Sequence, residues 1–142
     1  MLEREFMKFN PHFHFDGNCE EAFTLYAKVF NAKQPTFFRF ADSPIAGQVS
    51  QDWAKKVMHV TLTVGDQVLM GADAPPPHFR QPQGFAVNVD PGNEAEAERI
   101  YKALSDGGKI GMPLQETFWA KRYAQFVDRF GTPWMINVSK PM

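Results

Sequence analysis

The chain has 142 residues, 44% of them apolar and 22% charged, with a formal net charge of −1. That is enough for one domain with one core, which buries roughly two thirds of the unfolded surface. It excludes a disordered chain and the basic field that a nucleic acid or an anionic bilayer would require.

No apolar run approaches the ~20 residues of a membrane span. The start, Met1-Leu2-Glu3-Arg4-Glu5, lacks the apolar stretch of a secretory signal, so a cytoplasmic protein is expected. Cys19 is the single cysteine, which forbids an intrachain disulfide and fits a reducing compartment.

In chain order, the first strand-like run is Phe13 to Phe15. A helix follows from about Cys19 to Phe30, with Ala22, Phe23, Tyr26, Val29 and Phe30 on one face. Asn18 with Glu21 three residues on reads as its cap, and Glu20 and Glu21 suit the positive end of its dipole. Strands are predicted at Gln34 to Phe40, Val57 to Val64 and Gln67 to Ala72, the last two joined at Gly65-Asp66. The loop from Asp42 to Lys56 is long for a small domain and could cover a site.

Ala74-Pro75-Pro76-Pro77 and Pro82 mark a linker over residues 74–83. Beyond it the pattern repeats: a strand at Phe85 to Val89, Asn93 as cap, a helix at Glu94 to Ser105 stopped by Gly107-Gly108, then strands at Lys109 to Trp119, Ala124 to Phe130 and Trp134 to Val138. The two caps lie 75 residues apart, so the expected architecture is a single α+β domain. It comprises two strand–helix–three-strand modules, about 6–73 and 84–140.

Alternation assigns faces. Met58, Val60, Leu62 and Val64 form one apolar row, which leaves His59 on the other side. By the same parity the face away from the helices collects Asn10, His12 and His14, then Met70, then Ala86 and Asn88, then Met135 and Asn137. This mixed face is the candidate pocket. The segment Gln115 to Tyr123 adds Gln115, Glu116, Phe118, Trp119, Lys121 and Arg122, which suit stacking and charge pairing with a planar ligand or, equally, a subunit interface.

Four segments carry a family resemblance. They are His14-Phe15-Asp16-Gly17-Asn18-Cys19-Glu20-Glu21-Ala22, Val57-Met58-His59-Val60, Gln115-Glu116-Thr117-Phe118-Trp119, and Asp128 through Asn137. In these the chain resembles the vicinal oxygen chelate superfamily, the glyoxalase, bleomycin-resistance and extradiol-dioxygenase group, and within it the PhnB-like branch. The resemblance implies two βαβββ modules forming a U-shaped mixed sheet with the helices on its convex side, and a homodimer.

Metal-dependent members of that superfamily place His or Glu ligands on the first and last strands of each module. Those places fall near Asn10 or His12, Met70, Gly84 or Ala86, and Met135, of which at most one is a usual ligand, so no inherited metal and no other cofactor are expected. A separate set, His12, His14 and His59 with Glu116, would be a 2-His-1-carboxylate type of alternative. Histidines two apart on one strand stand far apart for one small ion, however, and pocket histidines more commonly donate hydrogen bonds. Members of the branch often bear a demethylubiquinone methyltransferase label, but no Gly-rich strand-to-helix turn is present for a nucleotide-like cofactor.

The expected function is binding of a small, planar, partly polar molecule by His12, His14, His59, Asn88 and Asn137. Gln115 or Glu116 would join them, with Trp119 and Trp134 as walls. The alternative is an isomerase, lyase or dioxygenase of the superfamily with His59 or Glu116 as acid or base. Cys19, in a first helical turn, is a conceivable thiolate but more simply a small residue at a helix start. His78 is expected to face solvent.

Overall fold

In the computed structural model, residues 7–141 are described. The expected start of the first module at residue 6 lies outside them. The first half contains β1 (His12–Phe15), α1 (Cys19–Val29), β2 (Thr36–Arg39), a short α2 (Gln51–Ala54), β3 (Val57–Val64) and β4 (Gln67–Asp73). The second contains β5 (Val87–Val89), α3 (Glu94–Ser105), β6 (Lys109–Gln115), β7 (Ala120–Val127) and β8 (Pro133–Ser139).

The strands hydrogen-bond as two four-stranded mixed sheets of identical topology, β1-β4-β3-β2 and β5-β8-β7-β6. In each, the first strand runs parallel to the last and the other pairs are antiparallel. The helix between the first two strands supplies the crossover that a parallel pair requires. These are the two βαβββ modules read from the sequence.

One core joins the modules. Cys19, Ala22, Phe23, Tyr26 and Val29 are the buried stripe of α1, and Ala97, Ile100 and Leu104 that of α3. Phe13 and Tyr26 of the first module meet Trp134 of the second edge to face, with ring centroids 5.8 and 5.3 Å apart. Much of the aromatic content therefore sits where the modules meet. Asp128, buried at the end of β7, accepts from the Tyr26 hydroxyl, the Trp134 indole and the amides of Phe130 and Thr132. A buried carboxylate with four donors is satisfied without a cation.

Three local expectations are corrected. Asn18 makes no side-chain cap, and its Oδ1 is buried without a partner. The Cys19 amide instead donates to Asp73 Oδ1 at 2.9 Å, while Asp73 Oδ2 takes the Val57 amide. A residue at the end of β4 thus caps α1 from 54 positions away, whereas Asn93 caps α3 as expected, through Glu96 N.

On β3 Val60 and Leu62 are buried as expected and Val64 packs partly buried against the core, but at the start of the strand Val57 is the buried residue in place of Met58. A bulge sets Arg39 opposite Val57 and Phe38 opposite His59, so Met58 is the extra residue and parity flips across it.

The strand predicted to run to Trp119 stops at Gln115, and β7 starts at Ala120 rather than Ala124. The Thr117 hydroxyl accepts the Trp119 and Ala120 amides. A side chain that offers the backbone such a partner ends the ladder and makes a turn.

The segment 42–56 holds short helical turns. Its Trp53 packs on Phe40, and Lys56 Nζ donates to Gly17 O. Gln81 Nε2 ties the linker to Gly131 O at 3.0 Å. Gly131 has φ +95°, a left-handed conformation that favours glycine, and an added Cβ would lie 2.8 Å from Gln81 Nε2 and displace that side chain.

Candidate functional site

On the open face of the first sheet, His12 stands beside Met70 and His14 beside Ala72. The methyl group of Ala72 leaves space between β1 and β3 for imidazoles to approach. The ring of His12 lies 5.0 Å from that of His14 and 6.0 Å from that of His59. Burial, and then the charges of His14 and His59, pull the His12 pKa below the usual imidazole value.

Between β1, the linker and the start of β8 lies a hollow of about 250 Å³, bordered by His12, His14, Arg80, Gln81, Gln83 and Phe85. No carboxylate lines it among the described residues. Arg80 is held by Nη1 hydrogen bonds to the carbonyls of Pro77 and Phe79, which leaves its remaining donors free. Phe85 is 54% exposed, so the face of its ring is open to the hollow.

The second sheet has its own open face. Gln115, Tyr123 and Asn137 form one cross-strand row, with the Trp119 ring 5.1 Å from Tyr123. Gln125 Nε2 donates to the Tyr123 hydroxyl, and Asn137 Nδ2 to Ser139 Oγ, while Asn137 Oδ1 is buried without a partner. A broader hollow of about 480 Å³ spreads over this side beside Lys109, Gln125 and Met135, and Phe85 borders it too.

The expected site residues therefore fall into separate groups. His12, His14 and His59 come together, and Gln115, Asn137 and Trp119 come together on the other sheet. Asn88 is exposed next to Met135. Glu116 sits at the β6–β7 turn, ion-paired with Lys140 at 2.8 Å. The hydrogen bond and charge of Lys140 hold its carboxyl below the usual range. Trp134 takes a different place from the wall expected of it: it is 1% exposed, with its indole donated to Asp128.

Cys19 is fully buried, and burial first, then the charges of Asp73 and Glu20, push its thiol far up, the direction opposite to activation. His78 is exposed in the Pro76–His78 turn.

Arg80, Gln81 and Gln83 were missed from sequence, and Phe85, which alternation with Val87 and Val89 puts under the helices, is instead 54% exposed at the hollow. Polar and aromatic groups packed among prolines were the available signal, since such a linker is rigid enough to present them.

The superfamily's divalent ion does not fit this donor set. Register places His12 with Met70 and Asn88 with Met135, thioether and amide where imidazole or carboxylate would be needed. Among the described residues no three His, Cys, Asp or Glu side chains are grouped to hold a metal ion.

Comparison with known proteins agrees with this architecture. The model of the 3-demethylubiquinone-9 3-methyltransferase family matches residues 7–137. Protein YjdN of Escherichia coli is 32% identical, over 94% of this chain and 97% of that one. The crystal structure of protein PA1353 from Pseudomonas aeruginosa is 36% identical, with a TM-score of 0.85 over 96% of this chain and all of that one. A PhnB protein from Bacillus cereus, 22% identical, superposes with a TM-score of 0.75 over 94% of this chain and all of that one. The chain belongs to the 3-demethylubiquinone-9 3-methyltransferase family.

Proposed function

We propose that this protein binds a small, planar, partly polar molecule in the hollow between β1 and the linker. The observation that carries the reading is the convergence of Arg80, the Gln81 and Gln83 amides and the His12–His14 pair around the exposed face of Phe85. An apolar ring with a few fixed polar groups is the usual composition of a ligand site. At about 250 Å³ the hollow lies just below the usual range of about 300–1,000 Å³ and suits a small molecule.

The family description names methyl transfer. Neither strand-to-helix turn, Asp16-Gly17-Asn18 or Asp90-Pro91-Gly92-Asn93, is the Gly-rich phosphate-binding kind, so we assign binding and no methyl transfer. The acid–base reading is less favoured because Glu116 is committed to Lys140.

The protein acts as a homodimer in the cytoplasm. Phe118 is 89% exposed, and Phe38, Ile110 and Trp119 are exposed as well, apolar side chains that a second copy would cover. Among the described residues no helix is long and apolar enough to cross a membrane.

A fragment screen read by amide chemical shifts tests the binding site. Planar polar fragments should shift the amides of Gln81, Gln83 and Phe85, and Phe85→Ala should abolish the effect in a folded protein. If no planar fragment of any charge moves these amides, the reading fails.

A further inference from the structure

The hollow carries one sign of charge. Arg80 is a cation, His12 and His14 are bases, Gln83 offers an amide donor, and among the described residues no carboxylate lines the hollow, although the chain as a whole is slightly acidic. The other groups facing His12 do not alter that balance. His59 approaches from β3, Met70 and Ala72 of β4 are neutral, and Thr132 and Pro133 stand at the start of β8. Lys8 and Asp16 lie beyond the two ends of β1, both exposed. Asp128, near the start of β8, is turned into the core and already accepts four hydrogen bonds.

We infer that the ligand of this hollow is a small organic acid, a carboxylate on a planar body, and that its capture takes up a proton onto His12. This rests on the binding reading above and names the chemical class of its ligand. The Arg80 fork is shaped for a carboxylate. Burial, and the His14 and His59 rings 5.0 and 6.0 Å away, oppose the protonation of His12 in the free protein. An anion set between His12 and Arg80 reverses that opposition, so a proton binds with it.

The sign of the pH dependence follows. His12 has a lowered pKa in the free protein, and a bound anion raises it. Affinity is therefore highest below the free-state value. It weakens by about tenfold per pH unit between the free and bound values for one linked proton, and levels off above the latter.

The probes are benzoate and its neutral counterpart benzamide, titrated into the full chain at several pH values by calorimetry in buffers of different ionisation enthalpy. Amide shifts of Gln81, Gln83 and Phe85 locate the binding. Benzoate should bind there with net proton uptake at pH values above the lowered free-state value of His12, and benzamide should bind more weakly and without pH dependence. Arg80→Gln should weaken benzoate at every pH, with Arg80→Lys recovering part of the loss. His12→Gln combined with His14→Gln should flatten the pH profile while the far-ultraviolet spectrum stays that of the parent.

Equal affinity for benzamide and benzoate, or benzoate binding without proton uptake, overturns this inference while leaving the planar-ligand reading standing. Binding of neither probe at millimolar concentration overturns the inference. If the fragment screen is silent as well, the binding reading falls with it.

Discussion

The two helices start with the same sequence signal, an Asn followed by a Glu three residues on, and they should respond oppositely to its removal. At α3 the Asn93 side chain accepts from Glu96 N at 2.9 Å, so Asn93→Ala should cost about 1 kcal/mol. At α1 the Asn18 Oδ1 is buried with no partner. Its removal deletes an unmet acceptor worth ~1–3 kcal/mol in the unfavourable direction, partly offset by a lost contact. Asn18→Ala should therefore lie within about 0.5 kcal/mol of the parent or stabilise it.

The cap in use at α1 is Asp73, which holds two amides of separate elements at 2.9 Å each. Asp73→Ala strands both, at ~1–3 kcal/mol per amide, and removes a carboxylate whose charged form burial disfavours. The net loss expected is about 3 kcal/mol, or roughly 6–12 °C in melting temperature for a chain of this size. Urea unfolding followed by circular dichroism measures all three. The reasoning is refuted if Asn18→Ala costs as much as Asn93→Ala, or if Asp73→Ala costs under about 1 kcal/mol.

Sedimentation at micromolar concentration should show a symmetric dimer, and a monomer throughout would remove the dimer from the proposal. Cys19, fully buried with its thiol pushed up, should resist thiol reagents until the protein unfolds; rapid labelling of native protein would show that α1 opens locally. Purified protein should contain no stoichiometric transition metal. Elemental analysis finding about one equivalent, lost on His14→Ala or His59→Ala, would establish a metal site built from histidines outside the superfamily's places.

Helices α1 and α3 and the eight strands were legible in the sequence, because their signals are local, whereas α2 falls in the segment read as a loop. A helical stripe such as Ala22, Phe23, Tyr26 and Val29 is written at fixed spacing. The turns at Gly65-Asp66 and Gly131-Thr132-Pro133 carry their own backbone preferences. The repeat of caps 75 residues apart was enough to read the duplication. The grouping of His12, His14 and His59 was likewise legible by parity, since in their strands alternation assigns each of them to the open face.

What the tertiary structure decided depends on partners distant in the chain. Asn18 and Asn93 are locally alike, but Asp73 reaches one helix start and nothing comparable reaches the other. Which residue is buried at the start of β3 turned on a bulge set by its pairing with β2, which alternation along a single strand cannot register. Trp134 and Trp119 are equally aromatic in sequence. Asp128 and Tyr26 draw the first into the core, while the Thr117 turn leaves the second at a hairpin end. Arg80 and Phe85 came to the histidines because Gln81 anchors the linker on Gly131, 50 residues away. A contact between residues so far apart has no periodicity to betray it, and it forms once both modules have packed around the same core.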